Sequence, residues 1–214
     1  MKKIITAEEA AALVKEGNKI LIGGFLAVGT PDTIIDALVK SDVQNLTVVC
    51  NDSGTDKGIA KLIINKQVKK LQASFIGSNR ESGRQMTAGE IEIELIPQGT
   101  LVERIRCGGV GIGGFFTPTG IGTVVAEDKE VRVIDGKEML FETPIRGDIA
   151  IIRAFIADKY GNLRYHATAT NFNPIMALAA ETVVVEVDHL VDFMDPDDVV
   201  TPGVLVDFIV RRGR

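Results

Sequence analysis

Apolar and polar positions change register several times along this chain of 214 residues, and each change marks an element. Thr6-Ala7-Glu8-Glu9 has the spacing of a capping box, Thr at the N-cap and Glu three residues on, and predicts a helix through Ala10 to Glu16 that Gly17 ends. The apolar run Ile20-Leu21-Ile22 then breaks on Gly23-Gly24, and Thr30-Pro31-Asp32 supplies an N-cap, a first-turn proline and a first-turn acid for a helix to about Lys40. The same order of elements follows: a strand from Leu46 to Cys50 ends on Asn51-Asp52-Ser53-Gly54, a helix runs from about Gly58 to Asn65, and a strand from Leu71 to Ile76 ends on Gly77-Ser78-Asn79. Apolar runs bounded by turn residues and separated by helices predict a mainly parallel open sheet covered by helices on both faces.

The pattern changes after that. Ile91 to Ile96 alternates strictly, as a half-exposed strand does, and Pro97 closes it before Gly99-Thr100 opens a short helix to about Arg106. Val131 to Ile134 and Glu138 to Phe141 flank Asp135-Gly136 as a hairpin does. Further strands are predicted over 149–156, 183–187 and 205–210, with a helix from about Pro174 to Ala180. No internal repeat or linker interrupts the chain. The expectation is one α/β domain over residues 1–214, with additional antiparallel strands.

Composition narrows the function classes. A charged fraction of 25% is ordinary for a globular protein, and no low-complexity tract occurs. Glycine is in excess, at 22 residues, and the mean hydropathy of +0.18 is high for a water-soluble chain. Two cysteines, Cys50 and Cys107, form neither a disulfide framework nor a C-x-x-C pair, so a reducing cytoplasm is the expected compartment. Acids follow two apolar residues after Met1-Lys2-Lys3, which leaves no secretory signal. The uncharged run Cys107–Ala126 is long enough for a membrane span, but seven glycines, Pro118 and three threonines interrupt it; it reads as a buried or ligand-facing loop. Residues 108–214 carry 10 Lys+Arg against 16 Asp+Glu within a net charge of -5, and the lysines between Lys57 and Lys70 read as a solvated helix face, so no nucleic-acid partner is expected.

In a parallel sheet, ligands sit beyond the carboxyl ends of the strands, and three such ends carry candidate chemistry. The stretch from Gly23 to Pro31 is glycine-rich and runs into a helix N-terminus. It fits either an anion site or a tight strand-to-helix turn, and it is neither G-x-G-x-x-G nor a P-loop. Asn51 fits a hydrogen-bonding site residue or a plain Asx turn. Gln98, between Pro97 and a helix start, is a neutral amide donor placed as an oxyanion hole requires. Only two histidines occur, His166 and His189, and neither lies near a ligand-type cluster, so metal and Ser-His-Asp chemistry have no support and both read as structural. Cys50 reads as a buried small hydrophobe.

The segment Gly17 to Pro31, with Gly23-Gly24-Phe25, Gly29 and Pro31, resembles the signature of the alpha subunit of family I coenzyme A-transferases, with Glu16 where the pattern usually has Asp or Asn. Similar matches follow in order: Asn51-Asp52, Ile76 to Asn79, Pro97 to Leu101, Arg104 to Gly109, Thr117 to Gly120 with Gly122-Thr123, Asn171 to Pro174, and Val199 to Gly203. This collinear set is most similar to the acetate/acetoacetate (3-oxoacid, butyrate) branch. The resemblance implies a CoA-transferase-like fold and a heteromer, A2B2 or larger, in which a beta subunit carries the catalytic glutamate in a Ser-Glu-Asn-Gly motif. No such motif stands here, since Glu16-Gly17-Asn18 fits a helix end and Glu81-Ser82-Gly83 an exposed polar loop.

Exchange of CoA between acyl-CoA and a small carboxylate then passes, with ping-pong kinetics, through a glutamyl-CoA thioester on the partner. By the same resemblance Gln98 supplies an oxyanion donor and Asn51 lies beside the nucleophile. Gly24, Phe25, Leu26, Ala27, Val28, Gly29 and Thr30 match the stretch assigned to CoA binding. CoA or acyl-CoA enters as substrate, with no permanently bound cofactor, no metal and no membrane. The rival readings are an effector-binding module of related fold, which usually carries a DNA-binding helix absent here, and a sugar-phosphate isomerase, for which Asp52 is the candidate base.

Overall fold

The computed structural model describes residues 1–213. In chain order the elements are β1 (Lys3–Ile5), α1 (Ala7–Leu13), β2 (Lys19–Ile22), α2 (Asp32–Val39), β3 (Leu46–Val49), α3 (Ala60–Ile64), β4 (Val68–Ala73), α4 (Arg80–Thr87), β5 (Glu92–Leu95) and α5 (Gln98–Val110). After these come β6 (Phe115–Thr117), β7 (Val131–Ile134), β8 (Lys137–Glu142), β9 (Gly147–Asp158), β10 (Leu163–Arg164), α6 (Asn173–Leu178), β11 (Ala180–Val191) and β12 (Phe208–Arg211).

The main sheet runs β1-β12-β11-β9-β2-β3-β4-β5, every neighbour on that path parallel, with β10 antiparallel on β9. Alternation along its strands divides the core. Ile20, Ile22, Val48, Leu71, Ile149 and Ile151 face α1, α2 and α3, while Leu21, Val49, Ala150 and Ile152 face Leu101 and Ile105 of α5 and Met176 of α6. The sheet is therefore covered on both faces, as the apolar runs predict. A second sheet, β6-β8-β7, is antiparallel, and its hairpin turns through Asp135 and Gly136 at φ 50 and φ 74.

Strand order reverses between β2 and β9. From β2 the chain builds outward through β3, β4 and β5, and later strands build from β9 in the other direction. Such a switch point opens a crevice at the strand ends, because the connections leaving the two strands diverge to opposite faces of the sheet.

Several predicted boundaries move. The capping box forms, with Thr6 Oγ1 accepting from Glu9 N at 3.1 Å and Glu9 Oε2 accepting from Thr6 N at 2.8 Å, but α1 stops at Leu13 rather than Glu16 because Val14 turns extended and buries itself. Thr30 does not cap α2; it is buried, and Pro31 takes the cap position with no side-chain hydrogen bond. Glu81-Ser82-Gly83 lies in α4, not in a loop, because Asn79 Oδ1 accepts from Glu81 N and Ser82 N. The run Cys107–Ala126 is not buried as a unit: α5 continues through Val110, Gly111 caps it in the left-handed region at φ 76, and no residue from Val110 to Ala126 is buried. No helix among the described residues is long and apolar enough to cross a membrane.

Candidate active site

The crevice at the β2/β9 switch point is built on close packing between two loops. Gly23 follows β2, and a Cβ there would lie 1.9 Å from Asn173 Oδ1. That oxygen accepts from Arg153 N at 2.9 Å, while Asn173 Nδ2 donates to Gly29 O at 3.0 Å. Asn171 Oδ1 accepts from Gly24 N at 3.1 Å. Here the glycines admit the chain's own 171–173 loop, so backbone approach to a ligand falls to the tip between them.

That tip is a two-residue turn. Phe25 and Val28 exchange backbone hydrogen bonds at 3.0 and 2.8 Å around Leu26 at φ 45 and Ala27 at φ 69. Two positive-φ positions are the mark of a type I′ turn, which favours Asn-Gly; Leu and Ala there store backbone strain of order 1 kcal/mol or more each. Phe25, Leu26 and Val28 are nevertheless exposed, while Gly24, Gly29 and Thr30 are buried.

A relay of polar groups connects the turn to Gln98. Asp52 Oδ2 accepts from Leu26 N at 2.9 Å and from Asn51 Nδ2 at 2.8 Å, and its Oδ1 accepts from Gly54 N at 2.9 Å. Asn51 Oδ1 accepts from Gln98 Nε2 at 2.7 Å and from Ser74 Oγ at 3.1 Å. Asn51 and Asp52 are buried, whereas Gln98 opens α5 at the surface. A groove of about 550 Å³ runs past it, lined by Phe25, Gln98, Val102, Glu103, Phe172 and Ile175 among others. The structure thus brings Asn51, Gln98 and the Phe25–Val28 turn together. An amide donor has two N–H groups, and Gln98 commits one to Asn51.

The anion reading of the Gly23–Pro31 stretch fails on one residue. Glu186, in β11 and with no exposed surface, accepts at Oε2 from Thr33 N at 2.8 Å and Ile34 N at 3.2 Å, which fills the N-terminus of α2 from within. Burial raises its carboxyl above the ordinary value, and the Ile34 and Thr33 donors act in the opposite direction. The stretch is a tight turn, not a phosphate cradle. A glutamate inside Val183-Val184-Val185-Glu186-Val187 is the signal in the sequence that could have shown it.

Other candidates resolve simply. Cys50 is buried, and burial followed by the Asp52 charge pushes its thiol well above the ordinary value, which makes it inert. His166 and His189 both pack on Phe155, ring centroids 5.1 and 4.9 Å away. Among the described residues no three His, Cys, Asp or Glu side chains gather as a metal site would need.

Residues 4–212 match the coenzyme A transferase family. The chain belongs to that family. It is 49% identical over 211 residues to the acetate CoA-transferase subunit alpha of Escherichia coli K12, covering 97% of this chain and 96% of that one. It is also 49% identical over 213 residues to the acetoacetyl-CoA:acetate/butyrate CoA transferase alpha subunit of Clostridium acetobutylicum, with 98% of each covered. The fold of this CoA transferase matches an acyl-CoA transferase of E. coli O157:H7 in a thioester complex with CoA, at a TM-score of 0.89 and 23% identity; 99% of this chain aligns and spans 47% of that one. Glutaconate CoA-transferase of Acidaminococcus fermentans aligns at a TM-score of 0.85 and 18% identity over 98% of this chain and 75% of that one. The effector-module and isomerase readings find no support in these relatives. Asp52 is buried and its carboxylate already accepts three N–H donors from within the fold, which does not leave it facing a substrate as a general base must.

Proposed function

We propose that this chain is the alpha subunit of a heteromeric, cytoplasmic short-chain acyl-CoA:carboxylate CoA-transferase of the acetate, acetoacetate and butyrate type, active only with a beta subunit. The observation that carries the reading is the 49% identity, nearly end to end, with two proteins named as alpha subunits of such enzymes. The site's chemistry agrees with it. A glutamate from the beta subunit attacks the thioester carbonyl, and the carbonyl electrons move onto oxygen. Collapse expels CoA thiolate and leaves an acyl anhydride, and the thiolate then attacks the glutamyl carbonyl to give a glutamyl-CoA thioester and the free carboxylate. A second carboxylate runs the sequence in reverse.

Each addition makes an oxyanion, and Gln98 offers its second N–H to it from the groove wall. Asn51, fixed behind Gln98, orients that donor and the incoming carboxylate. The exposed apolar tips Phe25, Leu26 and Val28 line the path of the pantetheine arm, with the rest of Gly24 to Thr30 holding the turn in place. CoA comes and goes as substrate, and the assembly is A2B2 or larger.

The deciding experiment is co-expression with a beta subunit of the same family, followed by an assay of CoA transfer from acetyl-CoA to acetate, butyrate, acetoacetate and longer acids. Transfer by the pair and none by the chain alone is the expected result. An inactive pair, or ligand turnover by this chain alone, overturns the reading.

A further inference from the structure

Asp52 is 4% exposed, and no Lys or Arg pairs with it among the described residues. Its carboxylate is held instead by three N–H donors: Leu26 N and Asn51 Nδ2 on one oxygen, Gly54 N on the other. A buried anion kept without a cation is costly unless its hydrogen bonds are all made, so its persistence here asks for a reason beyond packing. The reason lies in what a carboxylate cannot do. It accepts only, whereas an amide at the same place would turn an NH₂ against at least one of the three donors.

That property fixes the sense of every group after it. Asn51 must point its NH₂ at Asp52, which leaves its carbonyl oxygen facing Gln98 and Ser74. Gln98 must then point its own NH₂ at Asn51, and the second N–H of that NH₂ is left for the groove. Reversed, Gln98 would present a carbonyl oxygen to a developing oxyanion and repel it. The same carboxylate grips the strained turn at Leu26 N, so the turn and the amide pair are set by one group.

We propose that Asp52 is a positioning residue that sets the hydrogen-bonding polarity of the Asn51–Gln98 relay and anchors the Phe25–Val28 turn to it. This rests on the transferase reading for its kinetic consequence but not for its structural one, and the test separates the two. In the heteromer, Asp52→Asn is expected to lower kcat by about 10- to 100-fold, part of what losing an oxyanion donor costs, with KM for the acyl acceptor changed less than about 3-fold. Combined with Gln98→Ala, it is expected to add nothing to the kcat loss of Gln98→Ala alone, because both remove one function. Losses that multiply, or a wild-type kcat in Asp52→Asn, overturn the proposal.

In the ¹⁵N-labelled full chain without its partner, the Gln98 side-chain NH₂ is expected to show one proton protected from exchange, a protection that Asp52→Asn removes. An averaged, unprotected Gln98 amide in the wild-type chain overturns the proposal even where the variant does not fold. A wild-type pair with no transferase activity refutes the functional reading alone and leaves the spectroscopic result to decide Asp52.

Discussion

The oxyanion role proposed for Gln98 needs a side chain that donates while carrying no charge, and its geometry makes a strict prediction. Gln98→Glu keeps the length and shape of the side chain but sets a carboxylate opposite Asn51 Oδ1, two acceptors at the 2.7 Å that now holds a hydrogen bond. The variant carboxylate turns away and offers the oxyanion only repulsion. Turnover is expected to fall by at least about 10²-fold, the cost of one oxyanion-hole donor, while the heteromer still assembles. Steady-state kcat together with size-exclusion chromatography checks this, and near-normal kcat would remove Gln98 from the role. Gln98 and Asn51 were legible in the sequence because each follows a strand end and belongs to a residue type whose chemistry is local. What Asp52, Asn173 and Glu186 hold was not, since each acts on a backbone group supplied by a distant segment, and nothing in the spacing of the chain says which segment that is.

At the scale of elements, local chemistry predicted types well and ends less well. The first two strand-turn-helix units and the Asp135-Gly136 hairpin stand close to where the pattern puts them, whereas β4 runs Val68–Ala73, three residues before the expected Leu71–Ile76. Errors occurred where tertiary contacts took over a terminus. Thr30, a good cap by type, is drawn into the core beside Gly24 and Gly58, and the orphan N–H groups of α2 are satisfied by Glu186 instead. That exchange has a pH signature. Burial raises the Glu186 carboxyl, so the folded chain holds its proton to higher pH than the unfolded chain, whose value is near 4.5. The stability linked to this group is complete below 4.5 and is lost as pH rises through the folded value. Glu186→Gln removes the titration. Urea unfolding from pH 4 to 8 is expected to show the variant gaining on the wild type as pH rises, and parallel profiles would mean that Glu186 does not titrate in this window.

The whole molecule divides its stability unevenly, and the division follows from where the core lies. β9 and β11, each 12 residues long, pair along ten registered positions at the centre of the sheet, and both hydrophobic clusters draw on residues from β2, β9, β11 and β12. The β6-β8-β7 sheet contributes almost nothing to either cluster: Leu140 and Glu142 are its buried residues, and Val131 and Val133 stand 48% and 65% exposed. What fixes it is buried Glu142, whose Oε1 meets partly exposed Lys129 Nζ at 2.6 Å and whose Oε2 lies 3.8 Å from Arg104 Nε of α5, with the Phe116–Phe141 ring contact at 5.2 Å. Such a unit opens locally at a fraction of the global cost, because unfolding it exposes little apolar area. Native-state hydrogen exchange on the isolated chain is expected to show β7 and β8 amides exchanging by local opening, insensitive to low denaturant. Amides of β9 and β11 should exchange only with global unfolding. Protection in β7 and β8 equal to that in β9 and β11 would show that the two sheets unfold as one unit.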